Sequence, residues 1–420
     1  MCARLASVSS TIVVSLSLAT ACGSNPASSD ARDAAVTSDG APNDGVIVDA
    51  PIAVDADPLC TMPGTIPPMH LVDVVTTGLV QPVFVTAPKG DLNSLYVVEK
   101  QGRIKIIRNN AVVGTFLDIS ANVAIPDPSA EGGLLGLAFA PDYATSGRFF
   151  VYYSAKATNT LPTHVVVQEY RRSANPDVAS PTMVAEFISA PHQAYGEVGG
   201  SLVFGKDGML YASVGDGHGM PSPASNINSK LGKILRINTA TPGVAPTGNL
   251  PGGDPFVWDY GLRNSYRISV DRANGNLYLP DLGDATYDEV NVELSGVGKH
   301  DFGWPRMEGA QCAGGGNACP NQGTLPVVTH LHPEIRAIIG GYVYRGSALP
   351  CLRGRYIYAD YISGRVFSFV FDGANATSNA ELTTQFNDGL LSIVGFGEDA
   401  AGEIYTVQIS GTIKKLVPGT

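Results

Sequence analysis

Three observations predict an all-β chain folded as a six-bladed β-propeller with four-stranded antiparallel blades. One strand–turn–strand phrase recurs six times along the chain. Glycine (48) and proline (29) are abundant, which suits short strands joined by tight turns. Helical periodicity is nearly absent, and residues 224–235 are the one ambiguous stretch.

The recurring phrase is an apolar strand, a turn closed by Gly, and an apolar–aromatic strand. It occurs at 94–106, 137–152, 202–214, 268–278, 354–367 and 402–414. The copies lie roughly 50 to 80 residues apart, each with room for about four strands. A small twisted sheet cannot cover both of its faces alone. Radial packing of such sheets covers them and leaves only short edges. Whether the segment near 70–87 supplies the strand that closes the ring stays open at this level. Long insertions near 121–135, 154–164, 188–200, 215–230, 240–262, 281–288 and 308–335 are where function is expected, because propeller loops build the site.

The predicted domain order is a signal peptide over 1–21, a lipidated Cys22 with a disordered tether over 22–60, and the propeller over 61–420. Arg4 and a short apolar run precede Leu18-Ala19-Thr20-Ala21-Cys22. That run is too short to span a bilayer and suits a cleaved export signal. The small residues before Cys22 resemble a lipoprotein cleavage site, and an ordinary signal peptide cut nearby is the alternative. Residues 23–60 hold seven Asp against one Arg, so they carry −6 of the chain's −11. With no apolar period, they cannot offset their ordering entropy. The expected location is the cell envelope, with membrane contact only through the lipid on Cys22. The acidic balance and the lack of a basic run exclude a nucleic-acid binder. A monomer is expected.

Cys60, Cys312, Cys319 and Cys351 allow three pairings. The short loop between Cys312 and Cys319 could close locally, which would leave Cys60 with Cys351. The spacing does not suit zinc.

Several phrases then take on a joint meaning. They are Glu131-Gly132-Gly133-Leu134-Leu135-Gly136, Gly199-Gly200-Ser201 with Gly215-Asp216, and Leu231-Gly232-Lys233-Ile234. Tyr260-Gly261-Leu262-Arg263-Asn264, Asp288-Glu289-Val290-Asn291, Phe302-Gly303-Trp304-Pro305 and Gly340-Gly341-Tyr342 complete the series. In this order they resemble the glucose/sorbosone dehydrogenase family, over roughly residues 65 to 418. That family includes soluble aldose sugar dehydrogenases that use pyrroloquinoline quinone (PQQ) and the related propeller of Hedgehog-interacting proteins.

The resemblance implies roles residue by residue. Arg263 and Asn264 match the pair that contacts quinone and substrate. An Arg fork suits a carboxylate, and PQQ carries carboxylates. Glu131 matches a polar position near the cofactor. At Glu197 the enzymes have the His that takes the sugar hydroxyl's proton as hydride leaves, and a carboxylate can act as a base if burial raises its pKa. His192, upstream, is the other candidate base. Gly283, Asp284, Asp288 and Glu289 match the stretch where family members place calcium ligands, and oxygen donors suit calcium. Turn chemistry explains the same residues equally well. The Lys and two Arg that hold PQQ align near Ile362, Leu390 and Ser392, none of them basic, and Arg365 nearby is a single charge. His330 and His332 share a face of a predicted strand, for which a structural role is the better reading.

The family-level expectation is therefore an exported PQQ-dependent dehydrogenase that oxidises an aldose by hydride transfer, with calcium in support. The alternatives are a non-catalytic propeller that binds a saccharide or protein partner, and a calcium-dependent hydrolase such as a lactonase.

Overall fold

Strand residues alternate faces, so a strand that is apolar throughout must be buried on both sides. That pattern runs through the middle strands of this chain and accounts for its architecture. The computed structural model describes residues 66–126, 129–158, 163–193, 195–219, 222–313, 319, 322–386 and 392–419. The predicted signal peptide, Cys22, the tether, Cys60 and Leu390 lie outside the described residues. Among the described residues, no helix is long and apolar enough to cross a membrane.

The first strand, β1 (Met69–Val75), belongs to the last blade. Blade 1 follows as β2 (Pro82–Thr86), β3 (Leu95–Glu99), β4 (Arg103–Arg108) and β5 (Ala111–Asp118). Blade 2 holds β6 (Leu134–Phe139), β7 (Arg148–Ala155), β8 (His164–Arg171) and β9 (Ala185–Pro191). Blade 3 holds β10 (Gly199–Phe204), β11 (Leu210–Val214), β12 (Lys233–Ile237) and β13 (Val257–Tyr260). Blade 4 is β14 (Ser269–Val270), β15 (Leu277–Asp281), β16 (Tyr287–Glu293) and β19 (Val328–Leu331), with a hairpin of β17 (Met307–Glu308) and β18 (Gln311–Cys312) inserted before β19. Blade 5 is β20 (Ile338–Val343), β21 (Arg355–Asp360), β22 (Val366–Phe371) and β23 (Ala376–Glu381). Blade 6 is β24 (Ile393–Glu398), β25 (Ile404–Gln408) and β26 (Thr412–Pro418), completed by β1, which pairs antiparallel with β26. The segment after residue 66 thus closes the ring.

The first strand of each blade packs against the first strands of both neighbours: β2 on β6, β6 on β10, β10 on β14, β14 on β20, β20 on β24 and β24 on β2. These six strands surround the axis. The cores lie between blades. In β7, Phe149, Val151 and Tyr153 enter the core shared with blade 1, while Phe150 and Tyr152 enter the core shared with blade 3. Tyr278 of blade 4 stacks on Tyr356 of blade 5 at 4.6 Å between centroids. Each such side chain, fully buried, contributes about 1.5–3 kcal/mol. The outer strands β5 and β23 are mostly exposed, as edges must be.

Glycine phrases mark where neighbouring first strands come closest. A Cβ on Gly200 would stand 2.6 Å from the Leu135 Cβ, and one on Gly340 would stand 2.2 Å from the Arg267 carbonyl oxygen. The pairing register slips near the start of β2, β6, β10, β20 and β24. A bulge re-aims side chains locally. Val83, Leu135, Gly199, Ile339 and Val394 sit at these slips, and all five line the axial cavity described below.

Residues 224–235, ambiguous in the sequence, form a 3-10 turn (Pro223–Ser225) that leads into β12. Lys233, fully buried, donates to the carbonyls of Ala224 (2.7 Å), Leu231 (2.6 Å) and Pro223 (3.2 Å) and so fastens that turn. Burial pushes its pKa down to about 7. The local Cys312–Cys319 bridge is present. Cys351 is also disulfide-bonded.

Candidate functional site at the axis

A cavity of about 490 Å3 opens among the first strands, within the range typical of small-molecule sites. Its polar wall includes Glu131, Asn264 and Lys100, and its apolar wall includes Ala337, Ile339, Val394 and Ile409, with Tyr266 and Tyr361. Arg267, at positive φ (67°), crosses beneath it from blade 4. Its guanidinium donates to the carbonyls of Leu135 (2.7 Å) and Val83 (2.7 Å) and to the Tyr266 hydroxyl (2.8 Å). It therefore ties blade 4 to blades 1 and 2 across the axis. A second concavity of about 460 Å3, lined by Asp73, Thr76, Thr77, Gly78, Asn110 and Val112, lies between β1 and β5 and includes none of the predicted site residues.

The structure brings Glu131, Glu197, Arg263 and Asn264 together. Arg263 and Asn264 donate their backbone N–H groups to Asp281 (2.9 and 2.8 Å), which fixes the turn they occupy. Burial pushes the Asp281 carboxyl up to about 7 against these two hydrogen bonds. Asn264 accepts from the Gly199 N–H at 2.9 Å, and its amide nitrogen lies 3.4 Å from Glu131. Burial, and then the Glu197 charge, raise the Glu131 carboxyl above its ordinary value, opposed by the Glu197 and Val198 amides.

Arg263 is already committed. It donates to the Gly283 carbonyl (2.7 Å), to Glu197 (2.8 Å) and to Asp284 (3.3 Å), and it lies over the Trp304 ring at 5.8 Å. Glu197 has a left-handed φ of 48°. For a non-glycine residue such a backbone costs on the order of 1–3 kcal/mol and persists only where the surroundings over-determine it. Here one carboxylate oxygen meets Arg263 and the other meets the His218 Nδ1 at 2.8 Å. His192 is buried below, with Nε2 donating to the Glu197 carbonyl at 3.0 Å, and burial lowers its pKa. It braces the loop; of the predicted site residues, Glu131 and Asn264 line the cavity, whereas His192, Glu197 and Arg263 stand behind its wall.

The four residues expected to bind calcium do not converge. Asp288 and Glu289 are consecutive in β16, so their side chains leave on opposite faces. Asp288 accepts from the Gly283 N–H (3.0 Å), the Ile338 N–H (2.9 Å) and His332 (3.0 Å). Glu289 accepts from Asn291 at 2.7 Å, and burial raises its pKa well above the ordinary value. The Gly283 carbonyl and Asp284 both face Arg263. Among the described residues, no group of three or more His, Cys, Asp or Glu side chains could hold a metal ion. His330 bonds the Tyr358 hydroxyl at 2.8 Å and His332 bonds Asp288, so each has its own structural partner.

A tricarboxylate such as PQQ does not fit this cavity as its residues are arranged. Lys100 turns onto the Ala130 carbonyl, and Arg267 and Arg263 are spent as described. Glu131 contributes a carboxylate to the wall. On blades 5 and 6, the aligned positions hold Ile362 and Ser392, both exposed and uncharged.

Several site residues escaped the sequence. His218 lies two residues after the quoted Gly215-Asp216 phrase but carries no repeat signal. Trp304, quoted only as a motif residue, donates to Asp216 at 2.8 Å. Glu308 collects the amides of Asp284, Ala285, Thr286 and Tyr287 on one oxygen at 2.7–3.2 Å. Nothing local in the sequence announces that arrangement.

Fold and site together define a six-bladed propeller with a ligand cavity at its axis. The chain belongs to the glucose/sorbosone dehydrogenase family, whose model matches residues 81–411. It is 27% identical over 374 residues to the HIPL1 protein of Arabidopsis thaliana, covering 69% of this chain and 53% of that protein. It is 26% identical over 376 residues to the mouse Hedgehog-interacting protein, covering 81% of this chain and 50% of that protein. The chain thus spans about half the length of these relatives. The PQQ-bound aldose sugar dehydrogenase of Streptomyces coelicolor shares the fold, with a TM-score of 0.64 at 22% identity, over 84% of this chain and 99% of that one.

Proposed function

We propose that this protein is an exported, lipid-anchored binding propeller that takes a saccharide in its axial cavity and does not use PQQ. The supporting observation is the commitment to protein partners of Lys100 in the cavity wall and of Arg263 and Arg267 behind it, with Glu131 set in the wall. Charge-assisted hydrogen bonds dominate carboxylate recognition, and among the described residues no Lys or Arg lining the cavity is left for a tricarboxylate. Glu131 and Asn264 can meet hydroxyl groups, and the Tyr266 and Tyr361 rings offer flat faces. The family's sugar dehydrogenases support a saccharide as the ligand. The Hedgehog-interacting relatives support a protein as the other class of partner. Export and anchoring rest on residues 1–22.

The second reading is a PQQ-dependent aldose dehydrogenase supported by calcium. The placement of Glu131 and Asn264 in one cavity wall, with Arg263 adjacent to Asn264 behind it, favours it. In that reading Glu197 would have to leave Arg263 and His218 to act as the base.

Calorimetric titration of the purified protein with PQQ, with and without calcium, and separately with D-glucose, decides between them. Saccharide heats without PQQ heats support the first reading. Tight, calcium-linked PQQ binding overturns it.

A further inference from the structure

We propose that His218 and Glu197 form a carboxylate–imidazole dyad that hydrolyses small acyl esters on the loop surface next to the axial cavity, an activity beyond saccharide binding. Three observations carry this. The His218 Nδ1 lies 2.8 Å from Glu197 Oε2, which places the proton on Nδ1 and leaves Nε2 basic. The His218 side chain is 70% exposed and that of Glu197 only 11%, so a fixed carboxylate presents an imidazole to solvent. Both residues have left-handed backbones, at φ 48° for Glu197 and 57° for His218.

That paired departure is built, not incidental. The Glu197 carbonyl accepts from His192 (3.0 Å) and from the Gly217 N–H (3.3 Å). The His218 N–H donates to Asp216 at 2.9 Å. Arg263, on the other Glu197 oxygen, keeps that carboxylate aimed. The residues after Glu197, Val198 and Gly199, line the cavity, so the dyad adjoins the cavity wall. A strained backbone held by several independent bonds is a pointer to function.

The chemistry needs only water. The His218 Nε2 takes a proton from water as the water oxygen bonds to the ester carbonyl carbon. The carbonyl becomes an oxyanion, and Glu197 balances the imidazolium. The carbonyl re-forms, the bond to the alcohol oxygen breaks, and the imidazolium returns the proton to the departing alkoxide. An acid and an alcohol result, with no change of oxidation state.

The test is hydrolysis of p-nitrophenyl acetate by the full-length protein across acid to neutral pH. The charged and titratable groups around the imidazole are Glu197, Arg263, His192 and Asp216, so the same profile is measured for each variant. The wild-type rate should rise as the imidazole loses its proton. His218→Gly, which tolerates the left-handed backbone, should lower kcat/KM about a hundredfold, and added imidazole should restore part of it. Glu197→Gln should lower kcat roughly tenfold with KM little changed. His70→Ala, at an exposed histidine on β1, should leave the rate unchanged. Equal rates for the wild type and His218→Gly, or a loss that imidazole does not rescue, would overturn the dyad. The ester is not a saccharide, so this result stands apart from the glucose titration.

Discussion

The two halves of the axial cavity differ in kind. The side built by blades 2 to 4 lines the cavity with Glu131 and Asn264, and behind them stand Glu197, His218, Arg263 and Asp281, cross-linked by hydrogen bonds and held in part by left-handed backbone. The side built by blades 5 and 6 presents Ala337, Ile339, Tyr361, Val394 and Ile409. Both sides surround the same scaffold, the ring of first strands with their register slips, and most of the named residues sit in the loops beside it. The scaffold is therefore indifferent to chemistry, and the residues placed on it decide the function. In this chain, the polar half keeps the residues matched to substrate contact. The apolar half lacks the cations matched to a quinone.

Breaking the polar half should have the largest effect. Arg263→Ala leaves Glu197, 11% exposed, without its guanidinium, and should lower the unfolding free energy by about 3 kcal/mol, measured by urea denaturation. The matching cut on the other half, Ile339→Ala, should cost a similar 2–3 kcal/mol through a cavity, yet leave the His218 tautomer unchanged by nitrogen NMR.

Glu308→Gln comes next, at about 2 kcal/mol, because four amides share one carboxylate oxygen. Burial pushes the Glu308 carboxyl up, but the amides outweigh it and its pKa lies below the ordinary value. The stability it supplies is thus present above the ordinary carboxyl range and lost as pH falls through the lower folded value. The difference between wild type and Glu308→Gln should shrink on acidification.

Adding charge to the apolar half should sharpen the comparison. Ile362→Lys with Ser392→Arg should raise PQQ affinity about tenfold for each cation, ~1.4 kcal/mol apiece, by calorimetry. No gain would mean that Glu131 and the cavity shape, not the missing cations, exclude the quinone.

The smallest effect at neutral pH is expected for Asp281→Asn, under about 1 kcal/mol, since relief of a buried charge offsets one lost acceptor. Burial raises this carboxyl from 3.8 to about 7 when folded. Its stabilisation is full below the unfolded value and is lost as pH rises through about 7. The variant's stability should therefore change less between those values than the wild type's does.

The six repeats each fall in a different blade, so the blade number was legible. Their phase was not. The copies at 137–152, 202–214 and 268–278 cover first and second strands, whereas those at 94–106, 354–367 and 402–414 cover second and third. All antiparallel hairpins within a blade have the same apolar–turn–apolar form, so a local pattern cannot tell which pair it marks. The ring closure by β1 was likewise invisible, because it joins residues 69 and 418 at opposite ends of the propeller sequence.

The sequence by itself determined the all-β class, the blade count and the family, because short-range periodicity and local phrases carry that information. Only the tertiary structure decided what the candidate site residues do. It spent Arg263 on Glu197 and Asp284, set Asp288 and Glu289 on opposite faces of β16, and gave Glu197 a histidine partner from the loop between β11 and β12. Those outcomes depend on side chains far apart in the chain competing for the same hydrogen bonds, and no local pattern encodes which of them wins.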